Sequence, residues 1–423
     1  MAATSPPSRS ERATVLLIAG VQFVNILDFM MVMPLGPDFA LALGIPQSRL
    51  GLIGGSYTAA AALSGVIGSL FFDRFDRKRA LTLTLLGLVV GTTAGGFAQG
   101  LVSLLAARLF AGFFGGPATS LSMAIIADLV PSERRGRAMG AVMTAFSVAS
   151  VLGVPAGLFL AELSSWRMPF FAVASLGLVM AVLAARLLPP LRSHLHGHAD
   201  VGEVASLWRP LVLASFSMTA VVMMAGFIVI PNISAFVQSN LGYPREDLKW
   251  LYFAGGVFSF ASLRVAGQLV DRAGSTLVGL FSSVLLVAVM FVFFYRPSGL
   301  PVMFLFTLFM VSMSSRNVAY NTLTSKVPGP RERARFQSLQ SATQHLASAT
   351  GAFFSAQLLR EVPKLGSSGE ALVGTSGKVL TELSGMKTVA LVSMALSVVV
   401  PMLLGWVEAG VKKEHAETFG LPG

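Results

Sequence analysis

Asp28 sits in a run of apolar residues, VQFVNILDFMMVM (21–33), where a carboxylate needs a reason to be. An ionised group at the centre of a hydrocarbon layer costs roughly 2.5 to 3.5 kcal/mol on insertion scales, so it requires a partner or a water-filled cavity. Of the 20 acidic residues, Asp28 alone stands well inside an apolar stretch; Asp73, Asp128 and Asp271 lie at stretch ends, and Glu162 lies near another. Three arginines are similarly embedded, Arg108, Arg264 and Arg316. At 1.5 Å per helical residue, Asp28 lies about 22 Å from the start of its stretch and Arg108 about 11 Å from the start of its own. If the two stretches run antiparallel through a core of roughly 30 Å, those depths coincide within a few ångströms. Such a carboxylate is balanced between desolvation, which favours its neutral form, and a guanidinium, which favours its charged form. That balance suits a group that loads and unloads a proton. The plainer alternative is a static ion pair joining two helices.

Other polar residues recur at helical spacing. Gln22 and Asn25 precede Asp28 at three-residue steps; Arg316, Asn317, Tyr320 and Asn321 form a stripe; Gln340 and Gln344 repeat at four. These are candidate substrate-binding positions lining a cavity, although any single amide could equally be an interhelical hydrogen bond. Arg264 could pair with Asp271 two turns away, and His345 reads as a packed hydrogen-bonding residue rather than a proton relay. With no cysteine, thiolate metal sites are excluded, and His194, His196 and His198 lack clustered carboxylates, so no metal or other cofactor is expected. No nucleophile with its base and no phosphate-cradling glycine loop is present, which points away from an enzyme and towards an ion gradient as the energy source.

The elements that must position these residues follow from composition. Hydrophobic residues make up 54% of the 423 and charged residues 12%, against about 25% charged in a soluble domain. Apolar stretches long enough to span a bilayer recur along the chain and predict twelve transmembrane helices: 14–36, 50–72, 80–99, 101–127, 138–162, 169–188, 208–238, 248–270, 276–295, 301–325, 337–359 and 388–408. The first stretch is too long for a signal-peptide core and is expected to remain as a span. The net charge of +11 falls in short clusters between spans, notably 74–79, 134–137 and 326–335, which argues for topology rather than nucleic-acid binding. All three clusters lie on the side of the termini, so the positive-inside rule puts both termini in the cytoplasm. Residues 189–207 form a long connection on that side, dividing the chain into a six-helix half (1–188), a linker (189–207) and a second half (208–423). The polar stretch 360–387 on the opposite side reads as loop, with a cap over the mouth as the alternative.

The halves are related in sequence. LGIPQSRLGLI (43–53) matches LGYPREDLKWL (241–251) at a shift of 198, and at the same shift Asp73-Arg74 meets Asp271-Arg272 and RGRAMG (135–140) meets RARFQS. GSLFFDRFDRKRA (68–80) then resembles the loop signature Gly-x-Leu-x-Asp-Arg-x-Gly-Arg-Arg of the major facilitator superfamily, with Ser69 and Asp76 where glycines are usual. GQLVDRAG (267–274) repeats its first part, Arg108, Gly112 and Gly116 are similar to a second signature, and LGVPAG (152–157) is a shortened relative of the exporters' Gly-Pro motif. The chain resembles the twelve-helix drug:proton antiporter branch. The resemblance implies an all-α membrane protein of two six-helix halves related by a pseudo-two-fold axis along the membrane normal, with a binding site between them near the midplane. It also implies that the first and fourth spans line one half-cavity, bringing Asp28 to Arg108.

Asp73, Arg74, Arg77, Asp128, Arg135, Arg137, Asp271 and Arg272 suit a conformational gate, because carboxylates beside guanidinium forks at helix ends make charge-assisted bonds. The expected function is export of a drug-like or metabolic small molecule by proton antiport, in a bacterial inner membrane and as a monomer. Proton symport of an organic anion, suggested by three span arginines against one span aspartate, is the rival reading, and an amphipathic lipid translocator a third.

Overall fold

A computed structural model describes residues 9–71, 75–192, 209–295, 299–329, 333–366, 370–373 and 379–419. These residues are helical almost throughout. Its first half comprises α1 (Arg9–Met31), a short α2 (Gly36–Leu43), α3 (Leu50–Phe71), α4 (Arg77–Gly96), α5 (Leu101–Leu129), α6 (Ser132–Val148), α7 (Val154–Leu163) and α8 (Met168–Leu187). The second half comprises α9 (Pro210–Phe227), α10 (Ile233–Ala235), α11 (Leu248–Ala273), α12 (Ser275–Tyr295), α13 (Val302–Thr324), α14 (Arg333–Leu358) and α15 (Met386–Phe419). The α6–α7 pair is one span. It is joined by a π turn over Ala149–Gly153, directly before Pro155, where the missing N–H and the ring would disrupt a regular α-helical ladder.

Among the described residues, eleven helices are long and apolar enough to cross a membrane. The expected eleventh span is a 26-residue helix, α14, whose glutamines, serines and threonines make it too polar to qualify by composition. It crosses nonetheless because α3 and α9 pack along it and shield much of it from lipid. The stretch 360–387 is more than loop: β1 (Arg360–Pro363) and β2 (Thr381–Ser384) pair antiparallel, Arg360 opposite Ser384 and Pro363 opposite Thr381. The face of the bundle carrying this hairpin is the hairpin face, and the one carrying the described chain ends is the terminal face.

Within the first half α5 packs against α3 and α4, α4 against α8, and α1 against α6 and α8; in the second, α13 packs against α11 and α12, and α15 against α9 and α12. Between halves, α3 lies along α14 and α11 lies along α7 and the π turn. These crossings are backbone-close. A Cβ on Gly51 of α3 would strike the Ala352 carbonyl oxygen of α14. Buried apolar side chains divide accordingly. One cluster at the hairpin face joins both halves, with Leu35, Phe39 and Ile53 meeting Ile233, Phe236 and Phe293. At the terminal face the core splits into two, one around Leu81, Ile125 and Val142 and another around Met218, Phe336 and Leu404. The halves are fused at one face and separately packed at the other.

Candidate functional site: a buried charge pair and a latched face

Asp28 of α1 and Arg108 of α5 meet in the first half, 0% and 1% exposed. Arg108 Nη1 donates to Asp28 Oδ2 at 3.0 Å and Oδ1 at 3.2 Å, and Nη2 donates to the Asp28 carbonyl oxygen at 3.2 Å. From α4, the Thr92 hydroxyl donates to Asp28 Oδ1 at 2.7 Å. The Tyr57 ring of α3 lies against the guanidinium, with Arg108 Cζ 4.6 Å from the ring centroid. Its hydroxyl donates to Asn25 Oδ1 at 2.8 Å, while Asn25 Nδ2 donates to the Gly115 carbonyl oxygen at 2.9 Å and to Thr119 Oγ1 at 2.7 Å. Only glycine fits at 115, because a Cβ there would occupy the space of the Tyr57 hydroxyl and Asn25. Four helices thus converge on one charge pair. Among the described residues Arg108 Nε is buried without a partner, leaving the pair spare donor capacity, and Gln22 Oε1, about two turns earlier on α1, is likewise buried and unpartnered.

Depth counting put Asp28 and Arg108 at one level, and the structure joins them. Tyr57 and Thr92 were missed. A tyrosine and a threonine inside spans were the available signals, but hydroxyls that satisfy their own helix are common, and the single Thr92 proton is shared between Asp28 Oδ1 and its own Leu88 carbonyl oxygen 2.8 Å away.

The second half holds a different arrangement. Arg316 is 0% exposed; Nη1 donates to Ser397 Oγ at 3.0 Å, Nη2 reaches the Val222 carbonyl oxygen at 3.4 Å, and Nε has no partner. No carboxylate pairs with it among the described residues. Tyr320 is also buried, its hydroxyl accepting from Gln344 Nε2 at 2.9 Å, and Gln340 donates to Thr219 Oγ1 at 2.5 Å. Asn321 is exposed and donates to the Asn317 carbonyl oxygen at 2.9 Å, while Asn317 is half-buried with Oδ1 unpartnered. The expected single stripe on α13 is therefore two rows. Arg316 and Tyr320 turn into the half's own interior; Asn317 and Asn321, one residue on and about 100° round the helix, are the more open pair. Arg264 is exposed and stacks over Phe260 at 5.3 Å, with no ion pair to Asp271 among the described residues; His345 is half-buried.

Of the expected gate, Arg77 Nη1 and Asp128 Oδ1 pair at 2.5 Å, with Arg77 also reaching the Ala124 carbonyl oxygen. Both belong to the first half, so in this state they brace one half rather than join two. Asp271 and Arg272 are exposed at the end of α11. Asp73 and Arg74 lie outside the described residues, as do His194, His196 and His198 and the side chains of Arg135 and Arg137. Asp76, noted in the sequence only as standing where glycine is usual, caps α4 by accepting from the Lys78 N–H at 2.9 Å, from the Leu191 N–H at 3.2 Å and from Arg192 Nε at 3.1 Å. Burial pushes its carboxyl up, but these bonds and the Arg79 N–H outweigh burial and hold it below the usual carboxylate range.

Polar links between halves gather at the hairpin face. Arg245 grips Asp38 bidentately, both contacts 2.6 Å, and Lys249 pairs with Glu162 at 2.5 Å. The Gln47 N–H of the first half donates to Glu361 of β1 at 2.8 Å, while Asn240 of the second half donates to the Leu383 carbonyl oxygen of β2 at 3.1 Å and accepts from its N–H at 3.0 Å, so the β-hairpin is pinned to both halves; Ser239 also donates to Gln47 Oε1 at 2.8 Å. Arg245 and Lys249 stand apart from the basic clusters at 74–79, 134–137 and 326–335. This face is shut and latched, whereas towards the terminal face the core divides and Thr144, Asn321 and Gln337 are exposed. Among the described residues no group of three or more metal-ligating side chains exists.

The profile described as Major Facilitator Superfamily matches residues 18–352. A "Chloramphenicol resistance protein" of Streptomyces lividans is 26% identical over 284 residues, 64% of this chain and 70% of that one. An "Uncharacterized MFS-type transporter YtbD" of Bacillus subtilis is 25% identical, covering 56% of this chain and 60% of that one. A third relative, "Uncharacterized MFS-type transporter Rv1250" of Mycobacterium tuberculosis, is 33% identical over 41% of this chain and 30% of its own length. The chain thus spans between 30% and 70% of these curated relatives. The crystal structure of a bacterial homologue of the human lysosomal transporter Spinster, inward-facing and unoccupied, superimposes with TM-score 0.73 at 16% identity, over 96% of this chain and 99% of that one. The human organic anion transporter MFSD10 does so with TM-score 0.61 at 18% identity, over 95% and 100%.

Proposed function

Since this chain belongs to the major facilitator superfamily, we propose that it exports a drug-like or metabolic small molecule in exchange for protons, with Asp28 as the proton site. Membership makes it a multi-pass membrane transporter rather than an enzyme. Two six-helix halves, fused at one face and separate at the other, are what alternating access requires, the substrate site lying between them. The observation that carries the proton assignment is the Asp28–Arg108 pair, the one acid–base couple sealed at membrane depth among the described residues. Protonating Asp28 cancels the charge facing Arg108 and leaves a guanidinium stacked on Tyr57 with an unsatisfied Nε. Neutralisation therefore changes the energy of holding α1, α3, α4 and α5 together. Through α3, which packs on α14, and through the π turn beside α1, which packs on α11, that change reaches both contacts between halves.

The direction of transport is supported by the chloramphenicol-resistance relative. The terminal face is assigned to the cytoplasm from the basic clusters on that side, which makes the latched state inward-facing. One chain supplies both halves, so a monomer suffices. Symport of an organic anion is the second reading, favoured by Arg316, a buried cation without a carboxylate partner among the described residues. The test is transport by purified protein in liposomes with an imposed proton gradient, offering chloramphenicol and matched cationic, neutral and anionic solutes. Antiport predicts proton release opposite in direction to solute uptake; co-directional movement supports symport, and solute movement without proton flux overturns the proton reading.

A further inference from the structure

A groove runs along α5 towards the terminal face. α3 and α4 each pack along α5 but scarcely touch one another, and the gap between them is a cavity of about 760 Å³. Its floor and walls are apolar and open, with Phe113 of α5, Ile67 of α3 and Leu83 of α4 all exposed along it. Its rim is charged, carrying Asp76, Arg79 and Arg192. Asp76 is already spent on the α4 cap, on the Leu191 N–H and on Arg192 Nε. The Arg79 guanidinium has no hydrogen bond or ion pair among the described residues, and the Arg192 side chain is 55% exposed beyond its one contact. Among the described residues, two cations over one engaged carboxylate leave the rim positive.

An apolar trough with a cationic rim, at the level where a span leaves the bilayer, is complementary to an amphiphile with a single anionic head. A free phosphate would leave the trough uncovered, and a zwitterionic head would bring an ammonium group to the arginines. We propose that this groove binds one anionic phospholipid from the leaflet at the terminal face, its phosphate on Arg79 and Arg192 and an acyl chain along Phe113 between Ile67 and Leu83. The lipid then wedges α3 and α4 apart over the helix that carries Arg108, bracing the charge pair from outside the substrate path. This assignment does not depend on the proton reading or on the direction of transport.

The test is native mass spectrometry of the purified, delipidated full chain, titrated with phosphatidylglycerol and phosphatidylethanolamine of identical acyl chains. The first phosphatidylglycerol is expected to bind at least fivefold more tightly, in line with the attraction of one basic residue near a membrane surface. Arg79→Gln with Arg192→Gln should abolish that preference, Arg79→Lys with Arg192→Lys should keep it, and Arg272→Gln, elsewhere on the terminal face, should leave it unchanged. Glycerol 3-phosphate, the head without its chains, should not displace the lipid. Equal binding of the two lipids to wild type, loss in the lysine pair, an equal loss in Arg272→Gln, or displacement by glycerol 3-phosphate would each overturn the assignment.

Discussion

Removing Asp38 from the hairpin-face latch should release the closed face by a calculable amount. Its bond to Arg245 is bidentate, 2.6 Å at each contact, and the two side chains are 22% and 28% exposed. Exposed ion pairs contribute roughly 0.2 to 1 kcal/mol, and hydrogen bonds to charged groups roughly 1.5 to 3 kcal/mol. A half-buried fork lies between these, at about 1.5 kcal/mol, and it exists only while the halves meet at this face. Asp38→Asn should therefore shift the equilibrium between closed and open hairpin face about tenfold towards open. Because the chain has no cysteine, Leu41→Cys in the first half and Leu241→Cys in the second, both exposed, can be spin-labelled without background. Double electron–electron resonance should show a short distance in the parent and a new long-distance population in Asp38→Asn. Arg245→Gln should give the same shift, the double variant no more than either alone, and the exchange Asp38→Arg with Arg245→Asp should restore the short distance. An unchanged distribution in Asp38→Asn, or shifts that add in the double variant, would refute the latch.

Two further outcomes follow from the same geometry. Tyr57→Phe keeps the ring under Arg108 but loses the bond to Asn25, whereas Tyr57→Leu loses both; transport should fall several-fold in the first and further in the second, and equal rates would show that the ring has no part in holding the pair. Asp76→Asn should lower the melting temperature by a few degrees near neutral pH. Since the Asp76 carboxyl is held below the usual range, its contribution is complete above the unfolded value of about 3.9 and disappears as pH falls through the folded one, so the gap between wild type and variant should close only in that acid window. A gap that closes nearer neutrality would contradict the assignment.

How much of this was legible beforehand depends on the kind of residue. Lipid makes a lone span charge conspicuous, and helix rise converts sequence position into depth, so Asp28 and Arg108 can be matched from the sequence alone. Depth fixes only one dimension. The rotation of α13 about its axis, which sends Arg316 and Tyr320 inward and leaves Asn317 and Asn321 more open, depends on what packs around it, and adjacent positions such as 316 and 317 differ by about 100°. The latch was hidden for another reason: Asp38, Glu162, Arg245 and Lys249 lie at span ends, where charges are ordinary, and their pairing joins residues 207 and 87 positions apart. The β-hairpin was obscured because β1 and β2 are four residues each, and the pinning residues Gln47 and Asn240 are remote in sequence.

The central claim is that Asp28 exchanges the proton that drives transport, and the most direct test is solute-dependent proton flux in liposomes containing wild type or Asp28→Asn. The expected result is flux in wild type and none in the variant, with the variant still binding solute and still exchanging it down its own gradient. Undiminished coupled flux in Asp28→Asn would contradict the claim and leave the Asp28–Arg108 pair as a structural tie between α1 and α5.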